Sequence, residues 1–353
     1  MKRIALITGT RENNDCNTLL LQYAKGLQLM GLDIFVFCPA NSSTYKDALS
    51  IDLQVVPIKK HHRFFDVLAA NRLNRLFKKH KIEKALAFTE RDEGALAMVK
   101  RFMQRTIEVY YLALSPIFTT KKMGAWALYN HRKMDGVLCP TMKTKNYFEQ
   151  YGIYQTKVLP IACEEIPKKL NWGDQDAKCV LGVPEDDKLV YGVELSEKNR
   201  DAWLHMLPNM RSLKVNYRFL LLDRMEANNK LIFNQTVKAL NLEDVIVLLP
   251  AQTDLFLFYK AIDAYILFGN EFELLSLDAI QHGTAVFLSE NHALSGLIEE
   301  GTLGYLFNEK SRIEELDEYN KSNYEKKQTY EYGDSIAFHD SVLQLFTFLL
   351  TKK

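Results

Sequence analysis

Acidic side chains gather in one short part of the chain, within the stretch from Asp263 to Leu306. Glu271 and Glu273 stand in a polar break that follows the apolar run AYILF, and Asp278 lies a few residues further on. The break leads into a segment with helical spacing, and the backbone N–H groups at a helix start can bind an anion. The order of strand, break and helix favours a ligand site at this break.

Strands and helices alternate around the break. AYILF and the later run TAVFL are continuous apolar segments, which is typical of parallel strands buried on both faces. Between them Leu274, Leu277 and Ile280 recur at helical spacing, and Gly283 predicts the end of that helix. Strand, loop, helix and strand in this order predict a doubly wound α/β fold, in which ligands bind at the carboxyl ends of the strands.

The same alternation runs through most of the chain, beginning with the apolar strand RIALIT and a helix predicted over residues 18–30. The loop between them holds a single glycine, so the G-x-G-x-x-G fingerprint is missing and no nicotinamide cofactor is predicted. A length of 353 residues suits two domains of ordinary size. The predicted domains are residues 1–165 and 166–333, followed by a helical segment over residues 334–353.

The acidic stretch resembles the donor-binding segment of a large family of retaining glycosyltransferases, the group 1 or family 4 type, which have two Rossmann-like domains in the GT-B architecture. In that family two Glu residues stand in this segment, separated by seven others. Asn270 stands at the position of the first Glu and Asp278 at that of the second, so the motif is degenerate. The resemblance implies that Asp278 binds the ribose hydroxyls of a nucleotide. It also places Asn270, Glu271, Glu273 and Leu274 beside the transferred sugar, with Glu271 or Glu273 as substitutes for the missing carboxylate.

A second matching segment opens the second predicted domain with the sequence LGVPEDDKLVYGV. The family places an Arg and a Lys after the last glycine of this segment, and both hold the donor diphosphate. Here Glu194 occupies the Arg position and Lys198 comes one residue early. A carboxylate repels a diphosphate, and the bidentate contact that an Arg makes is lost. Lys198 and Arg200 are the candidates to replace it, since Lys198 stands at a predicted helix start.

Positions in the first domain also depart from the family pattern. A pair of Gly residues usually lies in the loop after the first strand, where Asn13, Asn14 and Asp15 stand in this chain. No His follows the strand IEVYYLAL, although the family tends to have one there beside the reacting sugar. Glu90, at the end of another predicted strand, is the other candidate at this edge of the cleft. The alternative roles are structural: Asp15 or Asn17 caps a helix, and the acidic residues after Glu90 meet a helix dipole.

The resemblance implies retaining transfer of a sugar from a nucleotide sugar to a glycan, lipid or protein acceptor of the cell envelope. It also implies two domains that face each other across a cleft, with a last helix that crosses back to the first domain. The family needs no metal or other cofactor of its own, and no residues here have metal-ligand spacing. Because the departures fall at positions of the chemistry, the rival hypothesis is a catalytically inactive partner or scaffold subunit, paired with an active homologous glycosyltransferase or a second copy.

Charge is distributed unevenly along the chain. Residues 1–160 contain 25 Lys and Arg against 13 Asp and Glu, a net charge of +12, and the remaining residues carry −11. The densest basic segment runs from Lys59 to Lys84 and predicts a helix with a basic and an apolar face. The basic residues are Arg72, Arg75 and Lys79, and the apolar ones are Leu68, Leu73, Leu76 and Phe77. Such a helix favours contact with an anionic membrane surface, and the alternative is a solvated surface helix. The aromatic residues lack the spacing of stacking platforms, so nucleic acid is not predicted as a partner.

Cysteine usage and hydropathy bear on the compartment. The five cysteines lie far apart and lack metal-ligand spacing, which predicts free thiols in a reducing compartment. No run approaches the roughly 18 apolar residues needed to span a bilayer, and Met1–Gly9 predicts a buried strand that leads into a polar loop. The expectation is a cytoplasmic protein, with two alternatives left open: a peripheral position on the inner face of a membrane, or no membrane contact.

Overall fold

The chain folds into two parallel β-sheets flanked by helices. The computed structural model describes residues 2–9, 15–59, 67–103, 107–114, 123–164, 173–183, 189–197, 199–201, 203–204, 217–267, 272–299, 304–307 and 337–350. Successive residues of a strand pack into different hydrophobic cores. Ile4 and Leu6 of the first strand pack into one cluster, and Ala5 and Ile7 pack into another. Both faces of the sheet are therefore covered, which explains the continuous apolar runs in the sequence.

The first sheet contains seven strands in the order β3-β2-β1-β4-β5-β6-β7, and its neighbouring strands pair in parallel. Its strands are β1 Arg3–Ile7, β2 Asp33–Pro39, β3 Gln54–Ile58, β4 Lys84–Ala87, β5 Glu108–Leu112, β6 Gly136–Cys139 and β7 Thr156–Val158. The helices along this part of the chain are α1 Asp15–Leu29, α2 Ser43–Ser50, α3 Val67–His80, α4 Glu90–Met103, α5 Ala125–Lys133 and α6 Met142–Gln150. The strand order reverses between β1 and β4, which places a crevice at their carboxyl ends.

The second sheet repeats this topology with six strands in the order β10-β9-β8-β11-β12-β13. Its strands are β8 Leu189–Leu195, β9 Tyr217–Asp223, β10 Ile246–Pro250, β11 Ala264–Ile266, β12 Ala285–Ser289 and β13 Gly304–Phe307. The helices along this part are α7 Asp174–Val180, α8 Ala227–Ala239, α9 Leu255–Ala261, α10 Leu274–Gln281 and α11 Ser295–Glu299. The reversal lies between β8 and β11, so the second crevice stands at their carboxyl ends. The predicted fold of two Rossmann-like units is confirmed; the predicted boundary near residue 165 lies outside the described residues and stays a prediction.

The last helix, α12 (Phe338–Leu350), returns to the first sheet, as predicted. It packs along α1, and its residues Val342, Leu345 and Leu349 are buried there. The ring of Phe348 lies 5.0 Å from the ring of Tyr110 in β5, in an edge-to-face arrangement. These contacts bury the apolar face of α12, which would otherwise be exposed to water.

Two details of the first domain differ from the sequence predictions. Helix α1 begins at Asp15, so Asn17 lies inside the helix and its predicted capping role is wrong; its Oδ1 atom instead accepts a hydrogen bond of 2.6 Å from the Thr8 hydroxyl. In α3, Leu73 and Phe77 are buried as predicted, but Leu68 is 67% exposed. The five positions from Leu68 to Leu73 rotate a helix by about 140°, which puts Leu68 on the solvent side.

Candidate functional site

The helices that start at the two crevices meet each other. Helix α1 follows β1 and helix α10 follows β11, so each begins at the carboxyl edge of its own sheet. The Oδ2 atom of Asp15, the first residue of α1, accepts a hydrogen bond of 3.0 Å from the backbone N–H of Leu274, the first residue of α10. The carboxyl edges of the two sheets therefore face each other at this point, and sugar-sized or nucleotide-sized ligands bind at such edges.

Helix α10 has well-defined ends. Glu273 precedes it with an extended backbone, and the hydroxyl of Ser276 donates a hydrogen bond of 2.6 Å to the Glu273 carbonyl. Gly283 ends the segment with a φ of +72°, a conformation that favours glycine, and confirms the predicted stop. The first N–H group of the helix is thus fixed at the crevice, where the helix dipole favours a negative charge. In this structure the carboxylate of Asp15 supplies that charge.

Asp278 lies one turn into α10 and is only 6% exposed. Its Oδ1 atom accepts a hydrogen bond of 2.7 Å from the thiol of Cys163, which lies in the segment that follows the first sheet. Burial raises the pKa of Asp278 to about 6, although the Cys163 hydrogen bond and the nearby His282 act in the opposite direction. The thiol also lies 2.7 Å from Oε1 of Gln281, and burial raises its pKa well above the usual range. Asp278, the residue expected to bind the ribose, thus contacts the segment between the two domains.

Glu273 stands at the entrance of α10 with its carboxyl group directed at the hydroxyl of Tyr265. The Tyr265 hydroxyl donates a hydrogen bond of 2.5 Å to Oε2 of Glu273. Burial and, after it, the charge of Glu194 raise the pKa of Glu273 well above the usual range, and Asp15 adds to this shift. The raised pKa favours the uncharged form of the Glu273 carboxyl group, which does not repel a diphosphate.

Glu194 pairs with an arginine from the neighbouring strand. Its Oε1 atom lies 3.2 Å from Nη1 of Arg224, and the Glu194 side chain is 8% exposed against 38% for Arg224. The backbone N–H of Arg224 donates a hydrogen bond of 2.8 Å to the carbonyl of Leu195, which continues the pairing of β8 and β9. The carboxylate at the family's Arg position is thus neutralised by a cation that follows the adjacent strand.

Arg200, one of the two cations expected at the diphosphate, contacts other groups. Its Nε and Nη2 atoms donate hydrogen bonds of 2.9 and 2.7 Å to Oδ1 of Asp201, and Nη1 contacts the side chain of Asn229 in α8. Glu197 lies 3.9 Å from the same Nη1 atom. These partners hold the guanidinium beside α8, so the structure does not bring Arg200 to Glu194. Its donor-binding role stays a prediction.

Asp92 forms hydrogen bonds with residues that follow β1 and β4, at the carboxyl edge of the first sheet. Its Oδ1 atom accepts a hydrogen bond of 2.7 Å from the backbone N–H of Gly9, and its Oδ2 atom accepts one of 2.6 Å from the hydroxyl of Thr89. Asp92 is fully buried, whereas Glu90 in the same helical turn is partly exposed. The acidic start of α4 thus shapes the loop that follows β1, and the role of Glu90 at the cleft stays a prediction.

The other predicted site residues do not all fall within the described parts of the chain. Asn13, Asn14, Lys198, Asn270 and Glu271 lie outside them, and their roles stay predictions. Of the described candidates, Asp15, Glu273, Leu274 and Asp278 come together at the start of α10. Sequence reasoning missed Arg224, Tyr265 and Cys163. Arg224 directly follows the strand YRFLLLD, and this position at a carboxyl end was the signal available in the sequence.

The basic segment forms a separate surface on the first domain. Arg72, Arg75, Lys78 and Lys79 of α3 are exposed, while the apolar side of the helix packs into the core. A groove of about 410 Å³ runs between α3 and the end of β3. Its lining includes Ala40, Pro57, Ile58, Lys59, Ala69, Arg72, Leu73, Arg75 and Leu76. The groove thus combines apolar walls with three cationic side chains.

Neither histidine near α10 lies in a metal-binding arrangement. The ring of His282 stacks on Tyr259 at 5.0 Å, and its Nδ1 atom lies 3.0 Å from the Asp278 carbonyl, which fits a residue at a helix end. His292 is buried, and its Nδ1 atom accepts a hydrogen bond of 3.1 Å from the N–H of Leu294. Among the residues with described positions, no three His, Cys, Asp or Glu side chains are grouped to hold a metal ion. Across those same residues, no helix is long and apolar enough to cross a bilayer.

Comparison with known proteins gives likeness in structure only. No protein-family profile and no curated protein sequence matches the chain. Among solved structures, HepE of Anabaena in complex with UDP and glucose superposes with a TM-score of 0.70 at 15% identity, covering 99% of this chain and 95% of HepE. The apo form of the lipopolysaccharide outer core galactosyltransferase WaaB gives a TM-score of 0.66 at 11% identity, with 99% of both chains covered.

A further neighbour shows the limits of such a likeness. A protein from Listeria monocytogenes carries the provisional name UDP-N-acetylglucosamine 2-epimerase. It gives a TM-score of 0.65 at 12% identity, with 99% of this chain and 96% of that one covered. The same architecture therefore occurs in proteins named for different reactions, and identities this low carry the fold alone. The chain has the GT-B fold. Its two parallel sheets share one strand order, their carboxyl edges face each other, and 99% of the chain superposes on these proteins.

Proposed function

We propose that this protein transfers a sugar from a uridine-diphosphate sugar to an acceptor hydroxyl, with retention of the anomeric configuration. The observation that carries the proposal is the start of α10, where the Leu274 N–H, Glu273 and Asp278 lie at the facing edges of the two sheets. HepE, which shares this fold, has been crystallised with UDP and with UDP-glucose. That likeness motivates the choice of uridine nucleotides.

The proposed donor spans the crevice from Asp278 to Leu274. The Asp278 carboxylate accepts hydrogen bonds from the ribose hydroxyls and exchanges its present thiol donor, Cys163, for the ligand. The Leu274 N–H exchanges the Asp15 carboxylate for an oxygen of the ligand, because the start of a helix favours an anion. Burial favours the protonated form of Glu273, which adds no repulsion and can donate a hydrogen bond.

The transfer step follows from these contacts. The bond between the anomeric carbon and the diphosphate oxygen breaks, and the diphosphate leaves with the electron pair. The acceptor oxygen forms a bond to the same face of the anomeric carbon, and its proton passes to the leaving diphosphate oxygen. Donors aimed at the diphosphate stabilise the charge that develops on it, so the protein contributes positioning and electrostatic stabilisation.

The acceptor is proposed to be a glycan, lipid or protein of the cell envelope, reached at an anionic membrane surface. The observation in favour is the exposed row of cations on α3, with Val67 and Leu68 exposed in its first turn. Cations near an anionic bilayer each contribute about 1 kcal/mol to binding, and salt screens that attraction. Vesicles with anionic lipid should therefore bind the protein at low salt and release it as salt rises, whereas no binding at low salt would leave α3 a solvated helix.

The rival hypothesis is a catalytically inactive partner of an active glycosyltransferase, and it rests on a departure from the pattern of the resembled family. Glu194 stands where relatives in the resembled family place an Arg that grips the diphosphate, and it is buried in an ion pair. A scaffold of this kind would keep the fold and bind no nucleotide sugar. An epimerase would bind a UDP sugar but release an epimer, without transfer to an acceptor.

The experiment combines binding with product analysis. Calorimetry with UDP, GDP and their sugars should show affinity for UDP, and turnover of a UDP sugar with envelope acceptors should release UDP and form a glycoside of retained configuration. Asp278→Ala should weaken UDP binding by about 10-fold to 100-fold, the loss of a charge-assisted hydrogen bond. Asp263→Asn is the matched control, because Asp263 accepts from the N–H of Val190 at the opposite edge of β8.

The outcomes separate the hypotheses. UDP binding and glycoside formation support the proposal. Absence of any nucleotide binding by the wild-type protein contradicts it and favours the scaffold. Conversion of a UDP sugar into its epimer, without glycoside, would instead assign the site to epimerisation.

A further inference from the structure

One arginine at the second crevice has no assigned role in the chemistry described so far. Arg224 directly follows β9, and β9 is the neighbour of β8, the strand beside the crevice. Its guanidinium reaches across to the end of β8, where Nη1 lies 3.2 Å from Glu194. Its charge also acts on Glu273 at the entrance of α10. The guanidinium thus contacts the end of β8 and acts electrostatically on the residue that precedes α10.

We propose that Arg224 is the cation that binds the diphosphate of the donor, in place of the arginine that the resembled family carries at position 194. The inference rests on the proposed function, because it assumes a nucleoside diphosphate in the same crevice. The diphosphate-binding cation then follows β9, whereas the resembled family has it at the end of β8, one strand away.

The guanidinium of Arg224 has N–H donors that point away from Glu194. An arginine carries five N–H groups on three nitrogens. Within the part of the chain that the structure describes, Glu194 is the ion-pair partner of this side chain, and Nη1 is the nitrogen that makes the contact. Nε and Nη2 can therefore donate to phosphate oxygens, and two parallel N–H donors suit a phosphate group. The side chain is 38% exposed, so a ligand can reach it.

Two neighbouring cations, Arg200 and Lys230, contact other groups. Arg200 contacts Asp201 and Asn229 beside α8. Lys230 pairs with Asp223, the residue before Arg224, with Nζ 2.5 Å from Oδ2. Both cations lie on the side of α8, whereas Arg224 points to β8. Among these three residues, Arg224 is the one held toward the crevice.

Glu194 fixes the position of the Arg224 side chain through their ion pair. A buried carboxylate costs free energy unless it is paired, and removing its cation would leave it uncompensated. Because Glu194 is 8% exposed and Arg224 is 38% exposed, the pair fixes one side of the guanidinium in the protein and leaves the other side toward solvent. This geometry resembles a bidentate clamp that has been pre-oriented before the ligand arrives.

The test measures the affinity of the full-length protein for UDP and for uridine. Arg224→Gln should weaken UDP binding by about 10-fold to 100-fold, as expected for hydrogen bonds to a charged group. Uridine, which lacks phosphate, should bind the variant and the wild type with affinities that differ less than about 2-fold. Lys238→Gln is the matched control, because it removes an exposed cation of the same charge from α8, and it should leave both affinities unchanged.

A second variant guards against a folding defect. Glu194→Gln combined with Arg224→Gln replaces the ion pair by two amides and removes the uncompensated buried charge. This double variant should fold and show the same selective loss of UDP affinity. Wild-type affinity of either variant for UDP would overturn the assignment of Arg224 while leaving the proposed function intact. A wild-type protein without affinity for UDP would overturn both.

Discussion

Replacing Asp278 by Asn should raise the free energy of unfolding at neutral pH. Burial raises the pKa of this carboxyl from 3.8 to about 6, so the folded protein holds a proton that the unfolded chain releases between these pH values. Stability therefore falls as pH rises from about 4 to about 6, and it stays lower above that range. Each pKa unit corresponds to about 1.4 kcal/mol, so the full loss is about 3 kcal/mol.

Asn suits this position because its Oδ1 atom can still accept the hydrogen bond from the Cys163 thiol. Asp278 is 6% exposed, so solvent screens little of the effect, and about 3 kcal/mol is the upper limit of the gain at pH 7.5. The assay is urea unfolding of wild type and variant at several pH values. The difference in unfolding free energy should shrink toward zero as pH falls to about 4.

A matched control separates this effect from a general response to losing a carboxylate. Asp263 accepts a hydrogen bond of 2.8 Å from the N–H of Val190 and lies 3.4 Å from Nζ of Lys178. Asp263→Asn should therefore lower stability at pH 7.5, the opposite direction. The reasoning is refuted if Asp278→Asn is no more stable than wild type at pH 7.5, or if its effect is the same at every pH.

Three further changes probe the contacts between the parts of the molecule. Leu345→Ala removes a fully buried side chain of α12 and should cost about 2–5 kcal/mol in thermal or urea unfolding; a cost near zero would mean that α12 does not pack on the first domain. Gly296→Ala places a Cβ atom 2.5 Å from Oγ1 of Thr141 in the other domain, so it should lower stability and change small-angle scattering, whereas unchanged values would contradict the close approach. Asp15→Ala frees the Leu274 N–H and should strengthen UDP binding several-fold by calorimetry; weaker binding would show that Asp15 serves the ligand directly.

The fold follows from local patterns because parallel strands covered on both faces must be apolar throughout. RIALIT and YRFLLLD lie in β1 and β9 almost as predicted. Gly283 marks the end of α10 correctly because its positive φ is a local requirement. Errors fell where rotation about a helix decides exposure, as at Leu68, or where a polar side chain has a tertiary partner, as at Asn17.

The candidate site was predictable only in outline. The spacing of Leu274, Leu277 and Ile280 predicted the helix, and the register of the family resemblance placed Asp278 in the site. The pairing of Glu194 with Arg224 depends on β8 and β9 lying side by side, which the alternation of strands and helices does not specify. The contact between Cys163 and Asp278 joins residues 115 positions apart, so no local pattern signals it. Tertiary partners of this kind set the charge state of the site.

Hydrogen exchange with and without UDP tests the central claim most directly, because it locates the ligand as well as detecting it. UDP should slow exchange of the backbone amides from Leu274 to Asp278 and of those at the ends of β8 and β9. Amides of α3, on the far basic surface, should exchange at the same rate with and without UDP. Slowed exchange in α10 is the result expected for a nucleotide sugar held between the two sheets. UDP binding that leaves α10 unchanged, or that slows exchange only at α3, would contradict the account.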